Sequence, residues 1–363
     1  MENVDLSYFS SPIIFIVFAS AMLLLSIITN GLLLKFSLNL GTKNEQEQVR
    51  WAPTTKPALG GISFYILFLF SIVFYAIFFG NSKLLLNSKF LGCFTATSLG
   101  FMMGLADDAY NTKPFLKFLV QFICGIVLVL TGNAISVFSI DWLNYLITVF
   151  WVVGMMNSIN MLDNMDGITA SISSIICIAA CMIILINHDY LNLYFIILIG
   201  VTAGIGGFLY FNWNPSRMYM GDSGSQFLGA FLACIGVEFF WNAPDNFGES
   251  IPSKQIIIAI LIFIVPIADT TTVSINRIMR GQSPFIGGRD HTTHHLSYMG
   301  LSDRQVAFVL ILLSTFTMSL SVLVINHITN WGIAHTIGFG ALFLCIVIGL
   351  YSTTKISKPK PKS

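Results

Sequence analysis

Long apolar runs separated by short polar intervals fill this chain. Eleven of them, near positions 13–35, 61–80, 90–106, 115–132, 142–160, 168–187, 191–211, 224–241, 255–274, 305–326 and 331–352, approach the roughly 20 residues that a helix needs to cross a hydrocarbon core. Backbone groups in lipid must bond internally, so runs of this length predict helices. The intervals leave no room for a soluble domain, and no repeat of fixed period is present. The expected fold class is all-α. A single polytopic integral membrane domain, 1–363, would carry about eleven transmembrane helices and end in a basic tail, 353–363.

Composition agrees. The chain is 55% hydrophobic and 10% charged, where a soluble domain carries about 25% charge. A net charge of +1 with no long basic block gives no nucleic-acid signature. The six cysteines, Cys93, Cys124, Cys177, Cys181, Cys234 and Cys345, lie inside apolar runs without a CxxC pair and read as small buried hydrophobes. The first twelve residues carry Glu2 and Asp5 and no Lys or Arg, unlike a cleavable signal peptide, so the first run is expected to stay as a helix. With the N-terminus outside, 15 of the 18 Lys and Arg fall on one side and Lys83, Lys89 and Lys254 on the other. The positive-inside rule makes the richer side cytoplasmic, with the C-terminus inside.

That orientation gathers four polar clusters on the cytoplasmic face. Asp107 and Asp108 close the third run. Helical neighbours point about 100° apart, so two different roles are expected. Lys113 and Lys117, around Pro114 at the start of the next run, are placed to balance these acids or hold a phosphate. Asn157, Asn160 and Asp163 recur every three residues on one broad helix face, followed by Asp166-Gly167. Such oxygen ligands suit Mg²⁺. The segment FNWNPSRMYMGDSGSQFLG, Phe211 to Gly229, places Asp222 to Ser225 at the start of another helix. Helix starts favour anions, although a plain N-cap explains GDSGS equally well. Arg289, His291, His294 and His295 crowd the fourth cluster. The HxxHH spacing permits zinc, but with no cysteine near, Arg and His as phosphate donors fit better. Asp269 stands near the inner end of the ninth run, with Arg277 or Arg280 as its expected partner. His188, His327 and His335 read as structural.

A solute pathway favours ionisable groups near the bilayer midplane, so a transporter or channel using these acids as a cation path is the weaker alternative. A membrane CDP-alcohol phosphotransferase is weaker still, since Asp166-Gly167 is not followed by Ala-Arg.

Six motifs in order carry a resemblance: KPALGG (Lys56–Gly61), GLADD with KP (Gly104–Pro114), NxxNMLDNMDGI (Asn157–Ile168), FNWNPSRMYMGDSGS (Phe211–Ser225), VPIADT (Val265–Thr270) and SPFIGGRDHTTHHL (Ser283–Leu296). From about Pro53 to Leu301 the chain resembles the polyprenyl-phosphate N-acetylhexosamine-1-phosphate transferase family. The resemblance implies transfer of a sugar phosphate from a UDP-N-acetyl sugar to a polyprenyl (undecaprenyl) phosphate, with Mg²⁺ as cofactor, Mn²⁺ as its substitute, and release of UMP. It further implies an inner-membrane protein with a cytoplasmic-face site, initiating a lipid-linked envelope glycan, and it is compatible with a homodimer. By position, Asp222 and Asn160 resemble the metal ligands. Asp107 and Asp108 resemble the acidic pair that handles the lipid phosphate or the metal. Asp163 is grouped with them as a catalytic candidate. Asp166, Asn212 and Tyr219 resemble uridine-contacting positions. Arg289, His291 and His294 resemble a loop closing over the phosphates, with His291 the catalytic candidate there. Lys113, Asn157 and His295 complete the substrate-binding set. The last motif is similar to the branch using UDP-GlcNAc, and the His-His-His-Phe-Glu run of the peptidoglycan branch is absent. The motif departs from its branch at three places: Gly288 precedes Arg289, Thr293 stands at a His position, and His295 stands at an Arg position.

Overall fold

The computed structural model describes residues 12–39, 56–80, 82–243, 250–284 and 288–357. Lys43, Arg50, tail residues 358–363 and positions 285–287 of the last motif lie outside them. Helices in chain order are α1 Pro12–Asn39, α2 Gly60–Phe78, α3 Ser82–Leu85, α4 Ser88–Tyr110, α5 Pro114–Leu130, α6 Asp141–Leu162, α7 Ile168–Ile186, α8 Leu193–Asn212, α9 Gly221–Gly236 with a π-helical continuation Val237–Trp241, α10 Pro252–Ile262, α11 Ile264–Met279, α12 Thr292–Tyr298, α13 Asp303–His327 and α14 Ile333–Ile356. The only β pairing among the described residues is a single parallel bridge, Ala58 with Tyr219.

Nine described helices are long and apolar enough to span a membrane, and α5 adds a shorter apolar helix of 17 residues. The ninth predicted run is corrected in shape. Positions 255–274 were expected to form one straight helix, but α10 and α11 meet at Phe263 with an 80° bend. The break turns α11, and Asp269 with it, out of line with α10. Local chemistry sets several helix ends. Asn87 and Asn192 cap α4 and α8 by accepting the Lys89 and Tyr194 amides, Pro114 opens α5 where no N–H is required, and Ser302 with Gln305 forms a capping box on α13.

The bundle is organised around α9, which packs against α4, α6 and α2 and is buried along almost its whole length. Phe68 of α2 meets Phe227 and Phe231 of α9 edge-on, and Phe64 lies tilted against Phe227. Small residues let backbones touch, as lipid-embedded helices require. A Cβ at Gly104 of α4 would lie 2.2 Å from the Asp222 carbonyl oxygen of α9. At the opposite margin α1 is tied on by polar bonds: Ser26 Oγ donates to the Gly204 carbonyl at 2.6 Å and Asn30 Nδ2 to Ser63 Oγ at 3.0 Å. α14 buries only Leu350. Its Cys345 is exposed, which corrects the expectation that all six cysteines are buried.

Candidate active site

The four polar clusters meet at one end of the bundle, around the first turn of α9. Gly221 enters that turn at φ +75°, left-handed backbone that glycine adopts freely. A Cβ there would lie 2.7 Å from Asp108 Oδ2. The adjacent acids of α4 divide as their 100° separation predicts. Asp108 reaches across to α9, where its two oxygens accept the Asp222 and Ser223 amides at 2.8 and 2.9 Å. It caps a neighbouring helix. The anion seat expected at GDSGS is therefore filled by the protein's own carboxylate. Asp107, 5% exposed, accepts the Thr112 amide and hydroxyl on Oδ1 at 2.8 and 2.6 Å, and Lys117 pairs with its Oδ2.

Lys117 Nζ also lies 3.2 Å from Asp222 Oδ2, so one ammonium joins two carboxylates. Lys117 supplies the balancing charge, while Lys113 is exposed at the N-cap of α5. On the other side of Asp222, Asn160 Nδ2 donates to Oδ1 at 2.7 Å and to Ser225 Oγ at 2.8 Å. Deeper in the bundle Asn157 donates to Gln121 at 2.7 Å, and Gln121 to Gln226 at 3.1 Å. This amide chain holds α5, α6 and α9 in register beneath the acids. Asp163 caps the end of α6, half-buried.

A second knot lies beside the first. Asp166 accepts the Ser216 amide at 2.9 Å, its hydroxyl at 2.7 Å and Asn214 Nδ2 at 3.2 Å. Lys56 stands 3.9 Å from Asp166, donates to Ser216 Oγ at 2.9 Å and lies 5.1 Å above the Tyr219 ring. Asn212 is buried and spends its side chain on the chain itself, accepting the Gly167 amide and donating to the Met218 carbonyl. It positions the 213–220 segment against the turn after α6.

The histidine segment closes the group. Asp269, 1% exposed, binds the start of α12. Its Oδ2 lies 2.8 Å from His291 Nδ1, and its Oδ1 accepts the Thr292 amide and hydroxyl at 2.8 and 2.6 Å. Its expected arginine partners are corrected. Arg277 grips Asp290 with two bonds, 2.7 and 3.1 Å, and Arg280 joins it. Burial alone would push the Asp290 carboxyl up, but the Arg277 bonds and charge, with Arg280, outweigh it and hold the group at about 2. Burial, then the neighbouring His291, pushes His294 down to about 3. Thr293, the departure from the motif, donates to Asn164 Oδ1 at 2.6 Å and so fastens α12 to the turn between Asp163 and Asp166. His295 turns away, its Nδ1 2.6 Å from Ser357 Oγ beyond α14. Arg289 is exposed, its carbonyl accepting the Tyr298 hydroxyl.

The structure thus brings together Asp107, Asp108, Asn160 and Asp222 in one knot and Asp166, Asn212 and Tyr219 in a second, with His291 and His294 on the adjoining segment. It leaves Lys113, Arg289 and His295 at the margin. Sequence reading undervalued Lys117, Lys56, Asn164 and Asp269. For Lys117 the signal was available, because it follows Pro114 by one helical turn on the helix beginning next to the acids.

The donor set suits a hard cation. Among the described residues no three His, Cys, Asp or Glu side chains converge on one point. However, the Oδ2 atoms of Asp107 and Asp222 meet at a single cationic atom, Lys117 Nζ. One or two carboxylates, completed by water and substrate phosphate, are what Mg²⁺ takes from a protein.

Residues 90–240 match the family described as glycosyl transferase family 4, a stretch running from α4 through α9 and holding every acid of the two knots. Over 327 residues the chain is 28% identical to the probable undecaprenyl-phosphate N-acetylglucosaminyl 1-phosphate transferase of Bacillus subtilis (strain 168), covering 88% of this chain and 86% of that one. The decaprenyl-phosphate N-acetylglucosaminephosphotransferase of Mycobacterium leprae (strain TN) is 26% identical over 71% of each chain. The phospho-N-acetylmuramoyl-pentapeptide-transferase of Streptococcus pneumoniae serotype 19F (strain G54) is 29% identical over 53% of this chain and 63% of its own. The helical order, the shared site segments and these likenesses together make this a polytopic membrane chain whose residues 90–240 are similar to glycosyl transferase family 4.

Proposed function

We propose that this protein transfers N-acetylglucosamine 1-phosphate from UDP-GlcNAc to a polyprenyl phosphate, giving the polyprenyl-diphosphate sugar and UMP. One observation supports this reading above the rest. Asp107 and Asp222, from helices far apart in sequence, converge on one cationic atom at the end of the helix that organises the fold. The likeness to the Bacillus subtilis protein over most of both chains supports the same substrates.

The reaction is a phosphoryl transfer. A lipid phosphate oxygen bonds to the β-phosphorus of the UDP-sugar, and the bond from that phosphorus to the oxygen bridging the two phosphates breaks. UMP leaves with that oxygen. A phosphate monoester has its second pKa near 6, so the acceptor is already anionic near neutrality. Positioning and charge neutralisation therefore carry the catalysis. Asp222, Asp107 and Asn160 would hold Mg²⁺, which when bound neutralises developing charge on the pyrophosphate. Asp108 keeps the first turn of α9 fixed, so Asp222 is presented from a clamped helix end. Lys117 holds the two acids together. Lys56, Asp166 and Tyr219 receive the uridine end, and His291 with Arg289 and His294 covers the phosphates. The charge bias supports a cytoplasmic orientation of this face, at the inner membrane.

Purified protein supplied with UDP-GlcNAc, undecaprenyl phosphate and Mg²⁺ is expected to release UMP, and Asp222→Asn to lower that rate by about 100-fold or more. A panel of UDP-sugars reads the donor preference. Folded protein that released no UMP from any UDP-N-acetyl sugar would overturn the proposal.

A further inference from the structure

The buried carboxylate of Asp269 has no part in the reaction as described, yet it is among the most fully engaged acids of the site. A carboxylate in this position must be paired, and its partners are specific. Oδ1 takes two bonds from Thr292 and Oδ2 meets the ring nitrogen Nδ1 of His291. His291 itself is buried, packed edge-on against His294 at 5.4 Å. The segment is anchored to the acidic turn after α6 through Thr293 and Asn164.

We infer that Asp269 is a positioning residue that fixes the tautomer of His291. Nδ1 keeps its proton on the carboxylate, and Nε2 takes the remaining proton of the acceptor phosphate monoanion as its oxygen attacks phosphorus and gives it to the phosphate oxygen of the departing UMP. A carboxylate can only accept, so the nitrogen facing it is the N–H one. The inference rests on the reading of His291 as part of the transferase site.

The two Thr292 bonds make the test clean. In Asp269→Asn the Thr292 backbone N–H can only donate, so it holds the amide oxygen where Oδ1 was. The amide NH₂ then occupies the Oδ2 place, facing His291 Nδ1, and donates to it. The ring is driven to the opposite tautomer, with Nε2 protonated and Nδ1 blocked. The anchoring of α12 is unchanged.

Solid-state NMR of protein labelled with ¹⁵N-histidine, with the His291→Gln spectrum assigning the signal, reads the tautomer at a pH where the ring is neutral. Wild type should carry the proton on Nδ1 and Asp269→Asn on Nε2. Steady-state UMP release should show kcat lower by on the order of 100-fold and KM for UDP-GlcNAc within about threefold of wild type. A wild-type proton on Nε2 overturns the inference whether or not the variant folds. So does a variant with the reversed tautomer and undiminished kcat. Failure of the wild type to release UMP overturns the transferase reading instead, and the wild-type spectrum still decides the tautomer.

Discussion

A single lysine shows how tightly charges are balanced at the site. Lys117 stands between Asp107 and Asp222. Replacing it with methionine leaves two carboxylates converging with nothing between them. Lys117→Met is expected to lower UMP release by about 100-fold and, with no ammonium competing for the two acids, to lower the Mg²⁺ concentration needed for half-maximal rate, both read from steady-state kinetics. Lys113→Met, four residues earlier and exposed, should leave both nearly unchanged. His294 gives a prediction in pH. Its folded pKa, about 3, lies below the ordinary value near 6.5. The unfolded chain therefore binds the proton first, so the stability contribution is fully present above 6.5 and is lost as pH falls toward 3. Thermal unfolding in detergent should show a falling midpoint across that window, with a shallower fall in His294→Asn. Asp290, held at about 2 by Arg277 and Arg280, adds its own loss only at lower pH, between its ordinary value near 4 and 2.

Helix contacts at the site rest on the absence of side chains. Gly104→Ala would push a methyl against the Asp222 backbone oxygen, and a helix backbone cannot rotate aside as a side chain can. About 1–3 kcal/mol of destabilisation is expected, with activity falling as the first turn of α9 shifts. On α14 a Cβ at Gly340 meets nothing, so Gly340→Ala should be neutral or stabilising by up to about 1 kcal/mol. Unfolding midpoints of the two variants check the contrast. The elements themselves were legible in the sequence, because lipid allows little besides helices and the apolar runs are long. The bend at Phe263 was not. Residues 255–274 read as one apolar stretch, and nothing in the periodicity marks a break where tertiary packing redirects the chain. Within the site, Asp107 and Asp108 could be given two roles from helix geometry alone. The second role, capping α9 114 residues away, depends on packing that no local pattern encodes. The same holds for Asp269. Its nearest cations in sequence were the natural partners, but Arg277 and Arg280 were claimed by Asp290 and the histidine by Asp269.

Across the whole molecule the charge bias predicts which face is cytoplasmic. In protein with Cys345 replaced by serine, Leu86→Cys, 73% exposed between α3 and α4, should react with an impermeant thiol reagent in intact cells. Lys113→Cys should react only after the membrane is opened. The reverse pattern would invert the topology. The other whole-molecule consequence lies in the contact between Asp108 and the start of α9. A free helix start is a general attractor for phosphates, and here the protein has stopped it with its own carboxylate. Inhibitor design is affected directly. Phosphate mimics gain nothing from this helix end, whereas in Lys117→Ala a compound carrying a cation at the vacated place of Nζ would meet two acids already aligned to receive it. A binding series at fixed scaffold, amine against phosphonate, should favour the amine in that variant, and the advantage should shrink when Asp107→Asn is added.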